Sequence, residues 1–247
     1  MTGEQLIVGI RSQTRSFLRD PVTVVLALLL PAIVIEGWGH AISNMPEMPT
    51  VASVPIELAR LVGATLGVAM IAGILGLVMI IGARSADRRL IVVGYDPSTV
   101  LVSRLVTIVG ITIVIAVVNF AVLSVNVSAE SPLLTVAFLA LSGVLYASIG
   151  VLIGAVLPRL FEGSLVIALL AMMDAFLSGD SPLAADRPEW VEYFPLYHPK
   201  SLVQDAVLDG TYAIGDLAFV VAYLVVRMGL ALFVFHRTMA IDEGWVR

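Results

Sequence analysis

The sequence predicts an all-α integral membrane protein with six spans, and three observations carry that prediction. The 247-residue chain is 59% hydrophobic and 13% charged, with a mean hydropathy of +1.01, whereas soluble domains carry about 25% charged residues. Crossing hydrocarbon as a helix takes about 20 mostly apolar residues. Six stretches qualify: 21–43, 58–83, 100–125, 132–157, 160–178 and 213–236. All six are continuously apolar and lack the dyad alternation of barrel strands. The longest polar stretch, 179–212, is too short for a separate soluble domain, so residues 1–247 read as one transmembrane unit.

Residues 3–20 read as an amphipathic helix ahead of the first span. At 100° per residue, Leu6, Ile7, Ile10, Thr14, Phe17 and Leu18 fall within an arc of about 120°. Arg11, Arg15 and Arg19 form an adjoining stripe, and Val8 is the exception. Such a helix lies in the headgroup layer, arginines toward lipid phosphates or a partner. Surface anchoring and partner contact both remain open. Asp20-Pro21 then ends it and starts the first span. That span is too long for a signal peptide and has no small-x-small cleavage site after it.

Spans two and three are joined by a charged connection. Over 84–93, Arg84, Asp87 and Arg88 share a helical face, followed by Arg89. Gly94-Tyr95-Asp96-Pro97 breaks this segment, with Asp96 placed to cap the third span and Pro97 to open it. A short helix with a tight turn makes a rigid protrusion. The plainer reading is a basic loop that snorkels its arginines to lipid.

The arginines also set an orientation. Arg11, Arg15, Arg19, Arg84, Arg88, Arg89, Arg104, Arg159, Arg237 and Arg247 fall on one side; the other holds Arg187 and Lys200, with Arg60 at a span edge. The positive-inside rule places the first side, and both termini, in the cytoplasm of a multi-pass cell-membrane protein. The opposite loops are acidic, with Glu47, Glu57, Glu130, Asp180, Asp186, Glu189, Glu192, Asp205 and Asp209.

Polar groups inside spans are costly and face a partner or a wet cavity. Asp174 in span five and Arg227 in span six suggest an ion pair or the lining of a path. Asn119 in span three suggests an interhelical hydrogen bond. Span two holds Gly63, Gly67, Ala72, Gly73 and Gly76; span four holds Gly143, Ala147, Gly150 and Gly154. Small residues three and four apart let helices approach closely, within the chain or between subunits. Beyond span five, Trp190, Tyr193, Phe194 and Tyr197 suit a membrane interface. Residues 201–208 read as a short helix ended by Asp209-Gly210. That connection exceeds ordinary loop lengths.

Several chemistries are excluded. Cysteine is absent, so disulfides and thiol metal sites are too. His40, His198 and His236 are too scattered for a metal cluster, and neither HExxH nor GxSxG occurs. A P-loop needs a lysine after its glycines; the single lysine, Lys200, stands in "HPKS". The chain therefore reads as no enzyme, with no catalytic, cofactor or metal site of its own.

The order of parts resembles the ABC-2 family, the membrane-permease subunits of ABC exporters. The resemblance spans the whole chain and rests on layout and on loosely spaced prolines. These are Pro31 in the first span, Pro97-Ser98 with Arg104 after the connection, and Pro195 and Pro199 in "YFPLYHPKSLVQDAVLDG", residues 193–210. One departure is the family's acidic-Ser/Gly-Thr run, reduced here to "ADRRLIVVGYDPS". The resemblance implies an elbow helix carrying Arg11, Arg15, Phe17 and Arg19. It also implies a coupling helix whose Arg84, Asp87, Arg88, Arg89, Gly94, Tyr95, Asp96 and Pro97 meet a separate ABC ATPase. The segment with Trp190, Pro195, Tyr197 and Pro199 becomes an outer re-entrant or interfacial hairpin. Two permease copies would form a homodimer in membrane lipid, with ATP and Mg on the ATPase subunits and no nucleic acid. Alternating access would export a hydrophobic or amphipathic compound. A non-transporting membrane scaffold or assembly factor, and a secondary transporter, are the rival readings.

Overall fold

The computed structural model describes residues 3–19, 21–45, 54–84, 86, 89–90, 93–94, 97–177 and 189–243. Among the described residues eight α-helices and one 3-10 turn have defined bounds, residues 84, 86 and 89–90 are helical as well, and no strand occurs. In order they are α1 (Gly3–Leu18), α2 (Pro21–Ser43), α3 (Ile56–Ile81), α4 (Pro97–Leu123), α5 (Pro132–Val156) and α6 (Leu160–Leu177). The 3-10 turn (Glu189–Tyr193), α7 (Tyr197–Leu208) and α8 (Ile214–Glu243) follow. Proline opens α2, α4 and α5, where its missing N–H would have no partner anyway and its fixed φ suits a helix. Gly210, at φ +65°, follows the end of α7, a conformation that glycine adopts without steric penalty.

Among the described residues, five helices are long and apolar enough to cross a membrane: Ile56–Ile81, Thr99–Leu123, Pro132–Val156, Leu160–Leu177 and Ile214–Ala231. The sequence expects six spans. The remaining expected span corresponds to α2, a helix of 23 residues whose stretch Ala27–Ser43 is apolar. α8 also runs on to Glu243, past the expected edge at 236.

α3 and α5 form the centre. α2, α4 and α6 flank α3, while α4, α7 and α8 pack on α5. α3 and α5 are mostly buried, whereas α6 exposes Leu165, Leu169, Met172 and Met173, and α8 exposes Val221, Val225, Val226 and Phe233. Glycine explains how closely the central pair approaches. A Cβ added at Gly150 would lie 1.9 Å from the Gly73 carbonyl oxygen, and one at Gly76 would lie 2.4 Å from that of Ala147. The glycine faces foreseen in spans two and four thus meet each other inside one chain. With no side chain between them, the two backbones touch, which maximises dispersion contact where lipid offers no hydrophobic drive.

Candidate functional site

The end of the bundle that carries α1, called here the α1 face, gathers most of the basic residues. α1 seats on the start of α4. A Cβ at Gly9 would stand 3.1 Å from Ser103 Cβ, and Gln13 Nε2 donates to Ser103 Oγ at 3.3 Å. Phe17 is half-buried against the core. Ile7 and Leu18, grouped by periodicity with Phe17, are each 64% exposed. The protein-facing stripe centres on Gly9, where a side chain would crowd Ser103 of α4, with half-buried Ile10 and Phe17 beside it. Arg11, Arg15 and Arg19 are exposed on a third sector.

The α3–α4 connection is tied down at both ends. The Arg84 guanidinium donates to the carbonyls of Gly154 and, at 2.9 Å, Leu157. Both lie where α5 ends. Arg104, only 6% exposed, donates from Nη1 to Met79 O at 3.1 Å, in the last turn of α3. A cation at a helix C-terminus satisfies orphan carbonyls and opposes the negative end of the dipole. Arg89 and Gly94 are exposed, Gly94 at φ +97°, and Pro97 opens α4. Asp87, Arg88, Tyr95 and Asp96 lie outside the described residues.

A second polar group sits between spans. Asp174 is fully buried; it accepts from Tyr146 Oη at 2.6 Å and from Leu196 N at 2.8 Å. It thereby fixes the turn into α7, in which Pro195 and Leu196 are buried. Arg227 donates to the Tyr223 hydroxyl and lies 4.2 Å above that ring, a cation–π arrangement. The two charges foreseen as an ion pair or as lining a path are each also joined to a tyrosine. Asn119 differs from expectation. Its Nδ2 donates within its own helix, to Ile115 O at 2.9 Å, and its Oδ1 faces Gly67 of α3.

At the opposite end, α7 begins at Tyr197 rather than at 201, since Pro199 falls in its first turn, where proline is tolerated. Leu202, Val203, Ala206 and Val207 are buried, and Ser131 N and Glu130 N donate to the carbonyls of Ala206 and Val207. The helix is docked into the bundle instead of floating above it. Trp190 is half-exposed, its ring 5.7 Å from that of Phe194, and Tyr197 lies 5.1 Å from His198. His198 Nδ1 is 2.7 Å from Asp216 Oδ1. Burial raises the Asp205 carboxyl above the usual carboxylate range. Nearby Asp216 and Asp209 add to that, and a backbone hydrogen bond from Ala213 opposes it.

Sequence reasoning did not foresee a cluster that joins α2, α3 and the turn after α4. Arg60 grips Glu36 Oε2 through Nη2 at 2.7 Å and Nε at 3.2 Å, while Asn126 Nδ2 donates to Glu36 Oε1 at 3.0 Å. His40 Nε2 is 3.8 Å away. The i, i+4 placement of Glu36 and His40 was the available signal; Arg60 arrives from α3 and Asn126 from the turn after α4.

Among the described residues, no three His, Cys, Asp or Glu side chains gather to hold a metal ion. Nothing in these clusters aligns a nucleophile with a base. Their geometry suits holding helices in register. No curated protein matches the chain. Residues 4–212, from the second residue of α1 to just past α7, match the family model of the ABC-2 type transporter. With its several apolar helices, its glycine-joined centre and its docked α7, the chain belongs to the ABC-2 type transporter family and is a multi-pass permease component rather than a catalytic domain.

Proposed function

We propose that the chain is the permease subunit of an ATP-driven exporter, paired as a homodimer and powered by separate ATPase subunits that hold the ATP and Mg. Family membership over residues 4–212 is the observation that carries this reading. In it, α2 completes a set of six spans, both termini face the cytoplasm, and the ATPase docks on the α1 face. α1 serves as elbow helix and 84–97 as coupling segment.

The two arginine ties give this mechanism a route. Closure of the ATPases presses on 84–97. Arg84 and Arg104 hold the two ends of that connection to the last turns of α5 and α3. The load therefore reaches two helices whose backbones are already in contact, and these tilt together against α2, α6 and α8. A second copy covers part of the apolar surface left open on α6 and α8. The cargo is a hydrophobic or amphipathic compound, since the segments opposite the α1 face are too short for a separate domain that could bind a polar solute.

The test replaces Arg88, Arg89 and Asp96 together by alanine. The variant should insert normally yet lose co-purification with the ATPase. Undiminished co-purification removes the docking role. ATP-stimulated efflux from vesicles then separates transport from scaffolding: a bound ATPase that hydrolyses ATP without moving any amphiphile supports the scaffold.

A further inference from the structure

A cavity of about 440 Å³ opens between α1, α2, α3 and α4. Its lining is graded. Ala27, Leu30, Ile71, Ile74, Ile115 and their neighbours make a hydrocarbon-like body, whereas Gln13 and Arg104 stand with Gly82 and Ala83 at the α1 face. From Ile71 to Gly82 the α3 wall runs about 16 Å at 1.5 Å per residue. The volume falls within the usual range for small-molecule sites, about 300–1,000 Å³. The shape is long and apolar, with polarity confined to one end.

Two observations say what fills it. Gln13 Nε2 donates to Ser103 Oγ, whose own proton goes to Val100 O at 2.8 Å, so Gln13 Oε1 is left buried without a partner. An orphaned buried acceptor costs free energy until a donor reaches it. The surroundings at that end are cationic, with Arg104 in the wall and Arg11, Arg15 and Arg19 on the adjoining sector of α1. The fitting ligand has an acyl tail, an anionic group and a hydrogen-bond donor beside it.

We propose that the cavity between α1 and the first three long helices binds one acyl chain of an anionic, hydroxyl-bearing phospholipid of the phosphatidylglycerol type. Its phosphate lies toward Arg104, and its headgroup hydroxyl donates to Gln13 Oε1. The lipid fills the gap between the elbow-like helix and the bundle, and so joins α1 to α2 and α3, with which α1 otherwise shares little contact.

The test uses the full-length chain purified from membrane with whatever ATPase accompanies it, and counts retained lipid by mass spectrometry after exchange. Phosphatidylglycerol should persist at about one molecule per chain and be preferred at least tenfold over phosphatidylcholine with the same tails. Glycerol phosphate, which has the headgroup and no tail, should fail to displace it; displacement would mean a headgroup-only site and overturn the proposal. Ile74→Trp and Ala27→Phe fill the cavity from two different helices, and either should reduce retention at least tenfold. Gln13→Leu should reduce the headgroup preference severalfold while leaving tail binding intact. Wild-type retention in a filling variant that melts normally overturns the proposal. So does equal retention of the two phospholipids by the wild-type chain, a result that needs no variant to fold.

Discussion

Replacing Gly150 by alanine tests the close contact at the centre of the bundle. The added Cβ would lie 1.9 Å from the Gly73 carbonyl oxygen, over 1 Å inside the 3.0 Å that real Cβ contacts keep. The obstacle is backbone, so no side chain can rotate away, and α3 and α5 must part. Overfilling a close-packed interior costs about 1–3 kcal/mol. Alanine also gains about 0.5–1 kcal/mol over glycine in a helix interior, which blurs a comparison with wild type. Gly110→Ala on α4 removes the ambiguity, because a Cβ there meets nothing within 4 Å. Both variants share the backbone gain, so their difference isolates the packing cost. At about 2–4 °C per kcal/mol for a chain of this size, Gly150→Ala should melt about 2–12 °C below Gly110→Ala in the same detergent. Equal melting temperatures would refute direct backbone contact between α3 and α5.

Other consequences follow from the polar clusters. Glu36→Gln leaves the half-buried Arg60 without its carboxylate and should cost about 1–2 kcal/mol, between the limits for exposed and buried pairs; His40→Ala should cost less in the same melting assay. Tyr146→Phe removes a donor to buried Asp174 and should cost about 1–3 kcal/mol, with faster proteolysis around 189–196 as the turn into α7 loosens. Unchanged cleavage there would contradict the anchoring role. The raised Asp205 carboxyl favours folding most at pH below its unfolded value and loses that contribution as pH rises through its folded value. Asp205→Asn should therefore raise the melting temperature at pH 7 and leave it unchanged near pH 3.

The helices were legible because a bilayer demands unbroken apolar runs, and because Pro21, Pro97 and Pro132 mark their starts. The glycines of α3 and α5 were legible as packing faces; that they meet each other, and not a second subunit, was not. Periodicity placed Ile7, Phe17 and Leu18 on one apolar face. In a membrane, however, protein and lipid are both apolar surroundings, and the pattern cannot tell them apart. The roles of Arg84 and Arg104 were hidden for another reason: their partners are main-chain carbonyls, which every residue possesses. Asp174 stood out as a buried charge, yet its partners Tyr146 and Leu196 N lie 28 and 22 positions away. Gln13 gave no signal, since one amide in an amphipathic helix is ordinary.

The seat of α1 has a consequence for how the chain is made. α1 leaves the ribosome well before the serine it rests on, Ser103, which lies two long helices later in the sequence. At about 5–20 residues per second, roughly ten seconds of synthesis separate the two. During that delay the helix lacks its seat on α4, and its exposed leucine, isoleucine and arginines suit it to wait at the lipid headgroups until α4 arrives.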